Sequence, residues 1–204
     1  RPIPAANTMS PKPPSTPGPD TRYGVVAIGL HWLIAIAIIG SFSLGFYMSD
    51  LPLSPQKLKF YSWHKWAGVT IFLCVLVRLL WRLSHRPPEL PDSIPAWQRK
   101  VAGATHMLLY LLMFVVPLSG WLMSSAKGFQ TVYFGVLPLP DLLAKNDELG
   151  ERLEQAHALL NYGMAALVVA HLGAALKHHF IDRDEVLARM LPFLGKNPTP
   201  GDSR

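Results

Sequence analysis

The chain has 204 residues, half of them hydrophobic and only 16% charged, with a formal net charge of +6. That balance is high for a water-soluble domain and ordinary for a compact membrane protein, and no nucleic-acid partner is expected. The single cysteine, Cys74, lies in an apolar run, which excludes an intrachain disulfide and suits a small buried side chain.

Seven of the first nineteen residues are proline, with Ser, Thr, Gly and Asn between them. Residues 1–23 are therefore expected to be a disordered tail. They lack the apolar core of about 7–15 residues that marks a signal peptide, and Met9 is a candidate natural start. Four apolar segments follow: Gly24 to Met48 without a charge, Phe60 to Leu83 with Lys65 near its start and Arg78 and Arg82 near its end, Val101 to Ser125, and Glu154 to Phe180. Each exceeds the length of about 20 residues needed to cross a bilayer. Only a helix satisfies its own backbone hydrogen bonds within one segment, so all four should be helical.

The first two connections are short, which makes their helices antiparallel neighbours. The third, Ala126 to Leu153, is longer and mixed in charge, and is expected to form a small extracytoplasmic cap. Asp182 to Leu194 has the pattern of a short amphipathic helix within a C-terminal tail, 182–204. The fold class is all-α, a transmembrane antiparallel four-helix bundle over 24–181. Pro117 should bend the third helix. Gly40, Gly68, Gly103, Gly120, Gly163 and Gly173 would let helices, or a flat macrocycle, approach closely.

Thirteen of the nineteen Lys and Arg residues fall in the N-terminal tail, around the second connection and in the C-terminal tail, among them Arg22, Arg86, Arg99, Lys177 and Arg189. The positive-inside rule then puts both termini in the cytoplasm. Trp63, Trp66, Trp81 and Trp121 lie near span ends, as an interfacial aromatic belt requires.

Ionisable groups inside a membrane are costly and mark function. His157 and His171 lie fourteen apart in Gln155 to Leu176, a stretch with no Asp, Glu, Lys or Arg. Fourteen residues is close to four helical turns, so both imidazoles face one way, about 21 Å apart along the axis. With alternating helix directions, His64 shares the outer depth of His157, and His31 the inner depth of His171. Two layers of two imidazoles suit two six-coordinate haem irons. No carboxylate lies in the apolar core of any span, which disfavours a proton pump or a metal transporter. His106 falls in the inner layer and could replace either ligand there. His178, seven beyond His171, sits at the inner interface, where it would reach a haem propionate or simply face solvent. His179 and His85 are expected to be interfacial and solvated, respectively.

Several stretches together resemble the bacterial cytochrome b561 family of small di-haem membrane cytochromes. They are Arg22-Tyr23-Gly24 with His31-Trp32, then His64 with Gly68, Val77-Arg78-Leu79-Leu80-Trp81-Arg82, and His106-Met107-Leu108-Leu109-Tyr110-Leu111-Leu112. Ala175-Leu176-Lys177-His178-His179-Phe180-Ile181-Asp182 and Leu187-Ala188-Arg189-Met190 complete the set. The resemblance spans Arg22 to Met190. It implies two b-type haems, with His31 and His171 on the inner iron and His64 and His157 on the outer one, and it leaves His106 a supporting role.

The expected function is electron transfer across the bacterial inner membrane between the quinone pool and an extracytoplasmic donor or acceptor. One branch of the family resembles a superoxide oxidase that reduces ubiquinone. An anionic substrate would be steered by Lys57, Lys59 and Lys65, although snorkelling to the interface accounts for them as well. The runner-up is a cytochrome b subunit anchoring a hydrogenase or other periplasmic dehydrogenase. A homodimer is compatible with the sequence, though no motif demands one.

Overall fold

The structure, a computed structural model, describes residues 23–85, 88, 94–184 and 186–191. Four long helices dominate: α1 (Val25–Ser49), α2 (Pro55–Ser84), α3 (Ala96–Ala126) and α4 (Asp147–Lys177), the last running into a π-helical turn, His178–Asp182. All four are long and apolar enough to cross a membrane. Three begin earlier than their apolar stretches, because polar starts still satisfy helix ends. Ser54 caps α2 by accepting from Lys57 N at 3.2 Å, with Pro55 in the first turn. Asn146 caps α4 by accepting from Leu149 N at 3.0 Å, and Asp147 and Glu148 complement the helix dipole. Helix α3 starts after Pro95 and continues through Pro117.

Neighbouring helices pack in chain order, α1 on α2, α2 on α3 and α3 on α4. Helix α4 makes few close backbone approaches to α1 or α2, which leaves a gap on that side of the bundle. The apolar centre is Ile34, Ile71 and Val75, ringed by Ala37, Ile38, Cys74, Tyr110, Met113 and Phe114. Outside it, large apolar side chains such as Ile36, Leu80, Leu159 and Val169 stand exposed. In water such a surface would aggregate; in hydrocarbon it is the natural exterior.

The third connection is more than a loop. It contains a two-stranded antiparallel hairpin, β1 (Val132–Tyr133) and β2 (Leu137–Pro138). Phe134 and Gly135 both have left-handed backbones, φ 50° and 72°, which turns the chain at the tip.

The amphipathic helix expected over Asp182 to Leu194 is not continuous. Asp182 closes the π-helical turn, Arg183 is left-handed at φ 55°, and 186–190 form turns. The left-handed residue ends the helix, and Trp32 Nε1 donates to Met190 O at 2.9 Å, holding the segment against α1. The remaining positions of that expectation, Glu185 and 192–194, lie outside the described residues, as does the N-terminal tail 1–22.

Candidate cofactor site

Helix α4 supplies one imidazole at each of two depths, and each meets a partner across the gap. His64 and His157 have ring centroids 6.2 Å apart and planes at 88°. His31 and His171 are 6.4 Å apart at 70°. An imidazole–metal bond of about 2.0–2.1 Å, with the ring centre about 1.1 Å behind the nitrogen, puts the centres of an axial pair about 6.3 Å apart. Both pairs have that separation.

The His64–His157 pair, called outer after its expected depth, is held from behind. His64 Nδ1 lies 3.1 Å from Ser41 O, so its N–H donates to that carbonyl, with Ser41 Oγ at 3.2 Å. Ser119 Oγ donates to Val116 O at 2.7 Å, which leaves it to accept from His157 Nδ1 at 2.9 Å. A histidine whose Nδ1–H is so engaged presents the lone pair of Nε2, the arrangement that orients a ligand and raises its basicity. Asn161 Nδ2 donates to His157 O at 2.8 Å.

Two glycines make room for these rings. A methyl group at Gly45 would come within 3.1 Å of His64 Cε1, and one at Gly120 within 3.0 Å of His157 Cε1. Between the outer histidines lies a cavity of about 540 Å³, bordered by Phe42, Gly68, Pro117, Tyr133 and Leu139. A flat, mostly apolar macrocycle suits such a space. Glu154, one turn from His157, borders it too and pairs with Lys127 at the end of α3.

The layer of His31 and His171, called inner after its expected depth, lies near two arginines. Arg78 Nη1 donates to Ala27 O at 2.7 Å and its Nε to Tyr110 Oη at 3.1 Å, tying α2 to α1 and α3. Arg82 stands 5.7 Å over the Tyr110 ring. His106 is brought to this layer, but its ring is 5.4 Å from that of His171, at 68°. That is shorter than an axial pair requires, whereas His31 stands at the right separation.

The remaining residues are distributed as follows. His178 Nδ1 sits 2.6 Å from Asp184 Oδ2 and 3.2 Å from Asp182 Oδ2, so its near neighbours are carboxylates. His85 stacks on Trp81 at 3.9 Å, and His179 meets the edge of Phe180. Lys65 borders the outer cavity and donates to Phe129 O at 2.8 Å. Lys57 donates to Leu51 O at 2.5 Å and Ser49 O at 3.2 Å, and Lys59 lies over Trp63. Neither of these two borders the cavity.

Sequence reasoning missed Ser41, Gly45, Ser119 and Asn161. A signal for Gly45 was present: it lies fourteen residues after His31, and Gly120 lies fourteen after His106. Helices α1 and α3 thus repeat the spacing of His157 and His171, with a glycine at the outer level facing the other helices' imidazoles.

A family model described as prokaryotic cytochrome b561 matches residues 22–193. Cytochrome b561 homolog 2 of Escherichia coli (strain K12) is 37% identical over 171 residues, covering 83% of this chain and 91% of the relative. Cytochrome b561 homolog 1 of the same organism is 29% identical over 175 residues, 84% of this chain and 97% of the relative. A protein of Yersinia pestis named probable superoxide oxidase CybB is 29% identical over 175 residues, 84% and 96% of the two chains. By this match and its four spanning helices, the chain belongs to the prokaryotic cytochrome b561 family, multi-pass membrane proteins of electron transfer that bind b-type haem.

Proposed function

We propose that this protein is a di-haem cytochrome b of the bacterial inner membrane, with His64 and His157 on an outer haem and His31 and His171 on an inner one. It transfers electrons between the quinone pool and an extracytoplasmic donor or acceptor. The observation that carries this reading is the pair of matched imidazole separations, 6.2 and 6.4 Å, at two depths of one helix. The excess of Lys and Arg at one end, thirteen of nineteen, supports cytoplasmic termini.

When bound, haem iron supplies the one-electron chemistry, at a potential set by its axial ligands and their surroundings. The chain's part is to hold, orient and insulate. Ser41 O and Ser119 Oγ fix the outer imidazoles in the tautomer that presents Nε2. Ile34, Ile71 and Val75 supply a buried hydrocarbon cluster between α1 and α2, with Tyr110, Met113 and Phe114 of α3 packed on it. Arg78, Arg82 and Tyr110 supply positive charge and a hydroxyl at the inner layer, suited to propionate groups. Two neighbours of the inner layer differ in role: His106 packs against His171 without ligating, and His178 is held by Asp184.

Superoxide is the donor this reading favours, with ubiquinone as acceptor. The name of the Yersinia pestis relative supports it, as does Lys65, which places a cation on the cavity wall beside His64. Superoxide gives up one electron and becomes dioxygen; two such electrons and two protons convert a quinone to a quinol. Lys57 and Lys59 add charge at the same face, farther from the cavity.

Liposomes containing the purified protein and ubiquinone, with superoxide generated outside, test this directly. Quinol should form, and His157→Ala should abolish its formation. A haem-replete protein that forms no quinol from superoxide or any other external one-electron donor overturns the assignment. If quinol forms only with a co-purified dehydrogenase subunit, the protein is that enzyme's membrane anchor instead.

A further inference from the structure

Gly128 to Pro140 contains no charged residue, although Lys127 and Asp141 bracket it. Its tip is strongly exposed: Phe134 is 60% and Val136 84% accessible, with Leu137 beside them. A loop standing in water on the outer side would expose polar groups at its tip, not these.

The loop does not stand away from the bundle. It folds back along the helices, and two contacts give its depth. Tyr133 Oη is 2.9 Å from Thr70 Oγ1, and Thr70 lies six residues inward of His64, about 9 Å along α2. Trp121 Nε1 donates to Pro140 O at 3.1 Å, and Trp121 lies five residues before the outer end of α3, about 7.5 Å inward. Trp66 Nε1 donates to Val132 O at 2.7 Å, with its ring 5.2 Å from that of Phe134. The face of α2 that carries Trp66 continues inward, seven residues at a time, as the exposed Leu73 and Leu80.

The loop backbone is equipped for an apolar setting. Leu139 N donates to Thr131 O at 2.8 Å, Val136 N to Tyr133 O at 3.1 Å and Gly135 N to Val132 O at 3.2 Å. Gln130 covers Leu139 O, and Pro138 and Pro140 have no N–H to satisfy. This removes most of the penalty for burying a loop out of water.

We propose that 128–140 is a membrane-interfacial wedge, with Phe134 and Val136 seated in the outer leaflet at the boundary of headgroups and acyl chains. The occupant of this apolar face is lipid, because the face is continuous with the lipid-facing side of α2. Thr131, Tyr133, Leu137 and Leu139 of the same loop border the outer cavity, so one loop both meets lipid at its tip and lines that cavity. The inference rests on the membrane-spanning fold and not on the histidine pairs, so a failed ligand assignment leaves it standing.

Spin labels on the full chain in liposomes test it. Cys74→Ser removes the native thiol, and a nitroxide is then attached at Val136→Cys or, as a second probe, Phe134→Cys. Glu148→Cys, in the exposed first turn of α4, is the water reference. Both hairpin labels should be relaxed by oxygen and protected several-fold from a water-soluble nickel chelate relative to the reference. Nickel access at both sites equal to that at the reference would overturn the proposal and leave the apolar tip to a protein partner.

Discussion

His64 and His157, from helices that barely approach each other, bring their imidazoles to a centroid separation of 6.2 Å with planes at 88°. Each ring is hydrogen-bonded through Nδ1 away from the other, His64 to Ser41 O and His157 to Ser119 Oγ. The same separation recurs between His31 and His171, 6.4 Å, at the other depth. Under the proposed ligand assignment these near-perpendicular planes have a spectroscopic consequence as well. The oxidised protein should show a highly anisotropic low-spin ferric signal by electron paramagnetic resonance, and a rhombic signal alone would mean the rings rotate to parallel when loaded.

Removing one ligand of a pair should empty one layer. His157→Ala should lower the haem content from two to one per chain and spare the inner haem, and His171→Ala should do the reverse. Haem assay together with redox titration checks this. Two unaltered haems in either variant would mean that the pairing is wrong.

His106→Ala should retain both haems. Its ring is 5.4 Å from that of His171, too near for a metal between them, while His31 already stands at 6.4 Å. A modest shift of the inner potential is the expected result; loss of a haem would identify His106 as an axial ligand.

The glycines behind the outer rings are a steric test. Gly120→Ala sets a methyl group 3.0 Å from His157 Cε1, so the imidazole must shift by a few tenths of an ångström or more. The outer haem should bind more weakly or show an altered spectrum, and Gly120→Val should lose it. Gly163→Ala, where nothing lies within 4 Å of the added methyl, is the neutral control. Equal haem content and spectra in all three variants would contradict the packing.

Ser119→Ala removes the acceptor for His157 Nδ1–H. That hydrogen bond makes the imidazole more basic and favours the ferric state. Its loss should raise the outer potential by a few tens of millivolts, consistent with a hydrogen bond worth about 1 kcal/mol felt only in part at the iron. An unchanged or lowered potential would show that the bond does not act through the ligand.

Much of this architecture is legible in the sequence, because helical period and bilayer thickness act on it strongly. The spacing of His157 and His171 and the charge-free first span mark the helices and the imidazole faces that the structure brings together, while the uneven distribution of Arg and Lys carries only the proposed orientation. What escapes notice is set by neighbours distant in the chain. Ser41 and Ser119 are ordinary helix serines until a histidine from another helix reaches them. The start of α4 at Asp147 is hidden because polar residues end an apolar stretch without ending a helix. The fold-back of 128–140 depends on contacts with Thr70, Trp66 and Trp121 that local pattern cannot report. The helical pattern after Asp182 is overridden by the left-handed backbone at Arg183 and by the anchoring of Met190 on Trp32.

The most direct test of the central claim is the haem-to-protein ratio of the purified protein, taken with its reduced-minus-oxidised spectrum. The account predicts two low-spin b-type haems per chain. A ratio of one, or a high-spin spectrum, would contradict the pairing of four histidines in two layers.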